Sequence, residues 1–544
     1  MHQLFTLQHL VDRAAHKRQP LFCCFLDLKG AYDRVPRELL WPVLERLGVH
    51  GPLLAAIRSL YSNAEYAVRA GNRRGPGVQS ECGVKQGCPL SPTLFGLLLD
   101  GLHWALLAGA PGAAPQLACG RLVPDLGYAD DFCLLATSAA GLQRLLDTAY
   151  GFLNSIGMEL SVAKTKVMTF GATPATAAAA AGAAWTCGGV ELERVERYKY
   201  LGAIFSTKDG ICATFTHVRG QLYGGWAQLK QRFRAIRYGL SLVLMRAVFQ
   251  QVIPPKGSYA SEVWGLRRVQ GKLKTARARV SQTWVELYKR LLELPDSVRK
   301  DLVLRELGVL SPDAVWLRIT CRFWNALSSA PEGSLRRAVA LSDCDDAVSR
   351  HVKNWAWSFL QQLSCLGYHV RVTRHCLAPI DVDAVLELHA AQERLCWDAC
   401  HVCPRTCPRD GATLVKYHRW FALPDDAPHN PFFRLPLGLK SVLNIIIRFR
   451  LGCYQALPSV FMRTDGVDCR ADRACRMCTT GAIGDEYHVL FECPATQAAR
   501  APFAHLFPHN CTMLGFINNP DSPAVARCIK DCLALVAAAA PARR

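Results

Sequence analysis

The sequence predicts an α+β fold for its N-terminal part, in which strands and helices pack together, followed by a helical region. Two observations support this prediction. Between residues 20 and 205, short apolar runs of strand length alternate with amphipathic segments of helical periodicity. From residue 211 to about 400, the apolar spacing is mostly helical. A chain of 544 residues is long enough for three or four domains of roughly 100–200 residues each.

The elements of the first part follow one another in a clear order. We predict helices at 1–20, 36–47, 50–62, 90–107 and 140–156, and strands at 21–26, 66–70 and 166–170. A glycine-rich turn is predicted at 71–77 and a loop insertion at the alanine-rich stretch 175–184. In residues 126–136, apolar residues flank Asp130 and Asp131, which is typical of a β-hairpin with acids at its tip.

Composition narrows the class of protein. Half of the residues are hydrophobic and 20% are charged, which is typical of a folded chain and not of a disordered one. The formal net charge of +20 favours a polyanionic partner, either nucleic acid or an anionic membrane surface. The longest apolar candidate, Leu94 to Ala108, is interrupted by Asp100 and His103, so we predict no membrane span.

Cysteine usage indicates the redox environment. The 24 cysteines are too sparse for a disulfide scaffold of this size, and the first residues do not resemble a signal peptide. We therefore interpret the cysteines as reduced thiols and possible metal ligands. We expect an intracellular protein, nuclear or cytoplasmic.

Three carboxylates are the first candidate for chemistry. Asp27 ends a predicted strand, and Asp130 and Asp131 lie at a predicted hairpin tip. If the two elements are neighbours in one sheet, the carboxylates converge and repel each other unless a cation neutralises them. Mg²⁺ prefers such oxygen ligands, and a pair of ions roughly 3.5–4 Å apart is typical of nucleotidyl transfer. An isolated Asp-Asp pair is more often turn chemistry, so the pair by itself leaves both interpretations open.

Five segments in sequence order resemble the motifs of reverse transcriptases. They are residues 25–35 (FLDLKGAYDRV), 83–92 (GVKQGCPLSP), 128–131 (YADD), 157–166 (GMELSVAKTK) and 200–202 (YLG). The residues of these segments are more similar to those of non-LTR retrotransposons of the LINE type than to those of retroviruses. A later stretch, Ser258 to Trp264 (SYASEVW), also resembles a segment that these elements carry.

The resemblance implies a right-hand polymerase, whose palm is an antiparallel sheet with packed helices, and RNA-directed DNA polymerase activity. It implies a palm with partial fingers at 1–205 and a helical thumb that binds template and primer at 206–300. A helical connection and linker would follow at 301–440, a CCHC zinc module at 441–500 and a C-terminal tail at 501–544. The implied partners are an RNA template, a DNA primer or target DNA, dNTPs and an RNA-binding protein encoded by the same element.

The first and third motifs imply the ligands of two catalytic Mg²⁺ ions. Asp27 and Asp130 would hold both ions, and Leu28 would lend a backbone carbonyl. Asp131 would be a supporting ligand. Lys164 would donate a proton to the leaving pyrophosphate or stabilise its charge, although Lys166 is close by in the sequence.

The remaining motif residues are expected to bind substrates. Tyr32 occupies the steric-gate position that excludes a 2′-hydroxyl, although an isolated tyrosine could equally be a core aromatic. Gln86 would contact the incoming nucleotide, and Gly87 would let the backbone approach it. The primer grip would consist of Tyr200, Leu201 and Gly202.

A cysteine and histidine cluster near the C-terminus has zinc-ligand spacing. Cys475, Cys478, His488 and Cys493 form a C-x₂-C-x₉-H-x₄-C pattern, which either binds zinc or is four unrelated side chains. The resemblance to LINE-type elements, which carry a CCHC module, favours structural Zn²⁺. A second set is less regular, and we interpret it as free thiols: Cys396, Cys400, Cys403 and Cys407.

Basic residues follow the last polymerase motif. They run from Lys230 to Arg279 with aromatic residues among them, and they could bind template and primer phosphates or form a solvated helix face. Only 26 residues precede Asp27, so most of the fingers expected from the resemblance are missing. Two hypotheses therefore stand: an RNA-directed DNA polymerase, or a truncated and inactive remnant that only binds nucleic acid.

Overall fold

The computed structural model describes residues 1–171, 183–235, 242–296, 298–373, 376–402, 440–451 and 475–539, except for 476 and 483. Most of the predicted loop insertion at 175–184 and most of the predicted linker before residue 440 lie outside the described residues. The second cysteine set also lies outside the side chains that the structure describes.

The first 206 residues form a mixed unit of helices and strands, which confirms the predicted α+β class. Its helices are α1 His2–Lys17, α2 Arg37–Arg46, α3 Gly51–Ser59, α4 Ser91–Gly109 and α5 Ala139–Ser155. Its strands are β1 Leu21–Leu26, β2 Glu65–Ala70, β3 Arg73–Gln79, β4 Asp125–Tyr128, β5 Asp131–Ala136, β6 Lys166–Phe170, β7 Thr186–Cys187, β8 Val190–Glu191, β9 Glu193–Arg194, β10 Arg197–Tyr200 and β11 Ala203–Ser206.

Five strands form the main sheet, in the order β4-β5-β1-β6-β9. The first three pairings are antiparallel, and β6 pairs with β9 in parallel. All six residues of the central strand β1 are buried because both of its faces are covered. Cys23 and Phe25 face a core shared with α1 and the later helices, whereas Phe22 and Cys24 face a core made with α2, α4 and α5. This two-sided burial explains the unbroken apolar run of the strand.

The predicted glycine-rich turn at 71–77 is wrong. Residues Arg73–Gln79 form strand β3, which pairs with β2 across a tight turn at Gly71 and Asn72. Gly75, Pro76 and Gly77 favour a turn by local propensity. In this two-stranded ribbon both faces are largely exposed, so β3 does not need large side chains for a core.

The later part is helical over the described residues, as predicted. Its helices are α6 Thr214–Ala235, α7 Leu242–Ser258, α8 Ser261–Trp264, α9 Gly271–Leu291, α10 Lys300–Leu307, α11 Pro312–Ser328, α12 Leu335–Ser349, α13 Trp355–Cys365, α14 Val382–Val402, α15 Lys440–Arg450, α16 Gln497–Arg500, α17 Met513–Ile517 and α18 Ser522–Ala538. Short 3₁₀ turns lie at Ile211–Ala213, Pro494–Thr496 and Ala501–Leu506, and one π turn lies at His488–Glu492. The last predicted segment, 501–544, contains α18, which packs against α15. The five-segment division of the chain stays a prediction.

Helix α1 joins the sheet to the later helices. Asp12 accepts two hydrogen bonds from Arg267, at 2.7 and 2.8 Å. His9 Nδ1 lies 2.7 Å from a carboxylate oxygen of Asp343, and both side chains are buried. At the N-terminal end of the helix, Gln3 Nε2 donates to the carbonyl of Gly127 in β4 at 3.0 Å. Helix α1 therefore connects strand β4, which precedes Asp130, with the later helical part of the chain.

Helix α4 is long and apolar enough, by length and composition, to cross a membrane, and it is the one such helix in the described part of the chain. Several of its apolar side chains, among them Phe95 and Leu102, lie in the core with α2 and α5. Core helices of folded proteins pass the same test, so α4 is weak evidence for a membrane span.

Candidate active site

The sheet brings Asp27, Asp130 and Asp131 to one end. In the antiparallel pairing of β1 with β5, Leu26 lies opposite Phe132, so Asp27 follows at the level of Asp131. In the pairing of β4 with β5, Tyr128 lies opposite Asp131, which leaves Ala129 and Asp130 as the turn. The predicted hairpin is confirmed, and the register explains how residues about 100 positions apart meet.

The tip of this hairpin is held in an uncommon conformation. Ala129 has a φ of +54°, in the left-handed region that side chains other than glycine seldom adopt, at a cost of roughly 1–2 kcal/mol. Contacts from two other elements support the strand below it. Gln3 donates to the carbonyl of Gly127, and the Tyr200 hydroxyl donates to the carbonyl of Leu126 at 3.2 Å.

The carboxylates affect each other's protonation. Partial burial, then the charges of Asp130 and Asp27, raise the pKa of Asp131 above its ordinary value. Lys164 Nζ lies 3.5 Å from a carboxylate oxygen of Asp27, but the lysine side chain is 73% exposed, so this pair neutralises the cluster only weakly. A divalent cation would remove the repulsion, so the cluster has the charge and the oxygen donors for one.

The backbone around Asp27 is fixed by the fourth motif. The carbonyl of Asp27 accepts a hydrogen bond from the Ser161 amide at 2.7 Å, and Leu28 forms a bridge with Leu160. Of the two candidate lysines, Lys166 is engaged with Glu193 at 2.5 Å. Lys164 is therefore the better placed of the two relative to the carboxylates.

Tyr32 lies between the core and the carboxylates. Its ring stacks on Phe95, with 5.1 Å between ring centroids, so the core-aromatic interpretation holds for one face. Desolvation, then the charge of Asp130 and the neighbouring Tyr128, raise the pKa of Tyr32. The arrangement is compatible with the predicted gate.

The loop that carries Gln86 and Gly87 is tied to the first motif. Gln86 Nε2 donates to both carboxylate oxygens of Asp33, at 2.9 and 3.1 Å. Gly87 has a φ of +84°, and no atom lies within 4 Å of the position that a β-carbon would take. Backbone conformation, and not lack of space, therefore favours glycine here.

Arg37 organises this loop, and the motifs did not point to it. Its buried guanidinium donates to the carbonyls of Ser80, Cys82 and Gly83, at 2.5, 3.0 and 2.8 Å. The side chain thereby replaces the missing backbone partners of a turn that leads to Gln86. An arginine next to a helix start looks like an ordinary surface residue in the sequence, so no pattern could have identified it.

The predicted primer grip is a hairpin of β10 and β11 with a mainly buried base. Tyr200 is 2% exposed, so its side chain packs in the core. The Tyr259 hydroxyl donates to the carbonyl of Leu201 at 2.7 Å, and its ring lies 2.8 Å from where a β-carbon of Gly202 would be. The 258–264 stretch thus supports the turn, and Leu201 and Gly202 at this turn are half-buried.

Tyr198 is a second residue that the motifs did not indicate. Its ring stacks on Phe25 with 4.2 Å between centroids. Desolvation, then the charges of Asp131 and Asp27, raise the pKa of Tyr198 to about 12. It therefore lies near the carboxylate cluster. In the sequence, the one indication of its importance is that Tyr198 and Tyr200 are two residues apart, as side chains on one face of a strand are.

Part of the predicted basic surface is exposed and part is not. Arg267 is paired with Asp12 inside the fold, and Trp264 is fully buried, so neither is free to contact a nucleic acid. Arg237 lies outside the described residues. The exposed members of the set on α6, α9 and the segment before α9 are Lys230, Arg232, Arg234, Arg268, Lys272, Lys274 and Arg279.

The four predicted zinc ligands lie together. Cys475 Sγ and Cys493 Sγ are 3.8 Å apart, and Cys478 Sγ is 3.3 Å from His488 Nε2. All four ligand atoms lie within 4.8 Å of one another. For a tetrahedral ion with Zn–S bonds near 2.3 Å, ligand atoms are expected about 3.5–3.8 Å apart, so the cluster fits zinc.

Neighbouring groups orient these ligands. His488 Nδ1 lies 3.3 Å from Glu492 Oε2, which leaves Nε2 for the cluster. The Thr480 hydroxyl, 3.0 Å from the sulfur, is the main cause that lowers the pKa of Cys478 to about 6, and so favours the thiolate that metals bind.

Comparison with known proteins agrees with this geometry. Residues 1–205 match the family model described as reverse transcriptase (RNA-dependent DNA polymerase). The chain is 27% identical over 207 residues to a Pol polyprotein from the type-1 retrotransposable element R2 of Popillia japonica, covering 38% of this chain and 34% of that protein. It is 27% identical over 206 residues to the corresponding polyprotein of element R2DM of Drosophila melanogaster, covering 37% and 19%.

A third relative extends further along the chain. The RNA-directed DNA polymerase from mobile element jockey of Drosophila funebris is 26% identical over 290 residues, covering 51% of this chain and 30% of that protein. The matched region thus spans between 19% and 34% of the length of these relatives. Residues 1–205 are a reverse transcriptase domain. This domain is similar to those of the non-LTR retrotransposons R2 and jockey.

Proposed function

We propose that the chain is an RNA-directed DNA polymerase that transfers nucleotides to the 3′-hydroxyl of a primer. The observation that supports this most is the convergence of Asp27, Asp130 and Asp131 at one end of the sheet of a reverse transcriptase domain. In this proposal the sheet with α4 and α5 is the palm, and the helices from α6 to α9 are the thumb.

Asp27, Asp130 and the carbonyl of Leu28 would hold two Mg²⁺ ions, with Asp131 as a supporting ligand. The mutual repulsion that raises the pKa of Asp131 favours this choice, because a cluster of acids without a resident cation gains most from binding one. When bound, such ions lower the pKa of the attacking hydroxyl and stabilise the charge of the leaving group.

The chain's own groups would position the substrates. Tyr32, supported by Phe95, would lie under the incoming sugar and exclude a 2′-hydroxyl. Gln86 would contact the nucleotide by breaking or sharing its hydrogen bonds to Asp33. Gly87 would let the backbone approach the nucleotide. Lys164 would protonate or stabilise the pyrophosphate, since its amine is exposed beside Asp27.

The nucleic acid partners would be an RNA template and a DNA primer or target DNA. The backbone of Leu201 and Gly202, braced by Tyr259, would contact the primer strand. The exposed basic residues of α6 and α9 would bind phosphates and lose affinity as salt rises.

The C-terminal cluster would bind one structural Zn²⁺ through Cys475, Cys478, His488 and Cys493. Four protein ligands leave no open position, so the ion would stabilise the fold and would not react. The ligands are packed against the core through Val489 and Leu490, which favours a folding role.

A primer-extension assay with an RNA template, dNTPs and Mg²⁺ tests the polymerase proposal. Asp130→Ala should abolish the extended product, because it removes an ion ligand, whereas the matched variant Asp531→Ala, an exposed acid on α18, should retain it. If the wild-type chain binds RNA but gives no Asp130-dependent product, the alternative of an inactive nucleic-acid-binding remnant is supported instead.

A further inference from the structure

A cleft of about 520 Å³ lies beside the edge strand β4. One wall is a single face of α4, and the others are the first turns of α1 and α12. The lining includes Gly127 and Ala129, which lead to Asp130. Ligand sites commonly have volumes of roughly 300–1,000 Å³, and none of the roles proposed above uses this one.

Two arginines line the cleft. Arg336 has no hydrogen-bond or ion-pair partner within the described part of the chain. It is the second residue of α12, whose N-cap Ser334 makes no side-chain hydrogen bond to the first turn, so backbone N–H groups stay open there. Arg121 donates to the carbonyl of Gly333, just before α12, at 2.5 Å. Two guanidinium groups beside open helix amides are suited to a phosphate.

The lining also offers hydrogen-bond acceptors and a free ring nitrogen. His103 Nδ1 lies 2.6 Å from an Asp125 carboxylate oxygen, and this hydrogen bond raises the pKa of His103. The Nε2 atom of His103 has no partner among the described residues. Asp100, one turn earlier on α4, is exposed and also lines the cleft. Such groups complement the amino and hydroxyl groups of a base or a sugar.

Part of the lining is apolar. It includes Leu99, Leu126 and Phe132, and all three are buried in the fold. The ligand that fits therefore combines an anionic group, hydrogen-bond donors and an apolar surface. A nucleotide has all three properties, whereas inorganic phosphate has only the first.

We propose that this cleft is a second nucleotide-binding site, with the phosphate against Arg121 and Arg336 and the base or sugar against Asp100 and His103. The nucleotide is either free or a unit of a strand, since both present the same chemistry. Because Gly127 and Ala129 belong to the lining, an occupant of the cleft contacts the strand that carries Asp130. The site goes beyond the polymerase proposal and does not depend on it.

Equilibrium binding without Mg²⁺ tests the site separately from polymerisation. The full chain with Asp130→Ala serves as parent, and the probes are a fluorescent nucleoside monophosphate and a short RNA oligonucleotide. Arg121→Gln with Arg336→Gln should weaken binding about tenfold or more, because both phosphate contacts are lost. The matched variant Arg46→Gln, an exposed arginine on α2, should bind like the parent.

A smaller change keeps the test informative if the double variant does not fold, which thermal melting reports. Asp100→Asn leaves the Arg121 contact with Gly333 in place and should weaken binding by several-fold at the other end of the ligand. Loss of monophosphate binding identifies a free nucleotide, and loss of oligonucleotide binding alone identifies a strand; both outcomes support the site. Unchanged affinity of the folded double variant and of Asp100→Asn for both probes overturns it. A chain that fails in primer extension can still pass this test.

Discussion

The two candidate ligand clusters of this chain are built in opposite ways. Asp27, Asp130 and Asp131 are partly or fully exposed oxygen donors that come from strands distant in sequence and meet through sheet register. The C-terminal cluster consists of sulfur and nitrogen donors within 19 residues, and three of its four side chains are buried. The first cluster is open to solvent, whereas the second is largely closed.

This difference predicts what each cluster is for. Exposed acids that repel one another lower the stability of the metal-free chain, and a cation that takes part in catalysis would relieve this repulsion. Buried thiols and an imidazole that already surround a small space are suited to a permanently bound cation that stabilises the fold. Substitutions in the first cluster should therefore reduce activity and leave stability nearly unchanged, and substitutions in the second should do the reverse.

The largest effect is expected for Asp27→Asn. Primer extension should fall on the order of 10³-fold or more, because an ion ligand at the reacting centre is lost. The melting temperature without metal should not fall, since one of three repelling charges is removed. The exposed Glu38→Gln on α2 is the control. A melting temperature that drops together with activity would contradict the proposed separation of roles.

The second effect is the loss of metal-dependent stability in Cys493→Ser. Wild-type chain should gain about 4 kcal/mol when free Zn²⁺ exceeds its Kd roughly a thousandfold, and the variant should lose this gain. Zinc content and thermal unfolding with and without Zn²⁺ measure it. Cys511→Ser, a partly exposed thiol outside the cluster, should keep the gain. Equal zinc content in both variants would show that Cys493 is not a ligand.

A smaller effect is expected for Glu492→Gln, which tests how the closed site orients its histidine. The carboxylate lies 3.3 Å from His488 Nδ1, and its loss should weaken zinc affinity by about tenfold. Competition with a chromophoric chelator measures this affinity. Glu332→Gln, an exposed residue outside the cluster, is the matched control. An unchanged affinity for Glu492→Gln would mean that other contacts orient the ring.

The smallest effect is expected for Asp131→Asn without metal. The folded-state pKa of Asp131 is raised above 3.8, so the folded chain binds this proton more tightly than the unfolded chain does. Ionisation above that pKa therefore disfavours folding. Asn should stabilise the metal-free chain at neutral pH by less than about 1 kcal/mol, because the site is partly solvated. Urea titrations at neutral pH and near pH 3 measure it.

The gain of Asp131→Asn should vanish at the lower pH, where the native carboxyl is protonated. It should also reverse when Mg²⁺ is added, because the native acid then has a cation to bind. A variant that is less stable than the native chain at neutral pH without metal would show that the repulsion is not the controlling interaction.

Elements with a local sequence signal could be predicted from the sequence. The apolar run before Asp27, the flanked acid pair at 130–131 and the spacing of the C-terminal cluster each predicted a feature that the structure contains. Hydrophobic periodicity and ligand spacing operate over a few residues, so a single chain displays them directly.

Features that depend on tertiary contacts could not be predicted from the sequence. Arg37 and Arg267 look like surface cations in the sequence, yet one holds the turn before Gln86 and the other is paired inside the fold. Strand β3 was predicted as a turn, because its glycines and proline carry no sign of the partner strand. In each case the deciding partner lies too far away in sequence for a local pattern.

Helix α1 has a consequence for how the chain is made. The bond between His9 and Asp343 joins residues that are 334 positions apart. At a synthesis rate of roughly 5–20 residues per second, about 17–67 s separate the two on the ribosome. During that time the apolar side of α1, with Leu4, Phe5 and Leu7, lacks the later helices that cover it. Until the later helices are synthesised, only the sheet can cover this side of α1, so the nascent chain exposes apolar surface that favours aggregation.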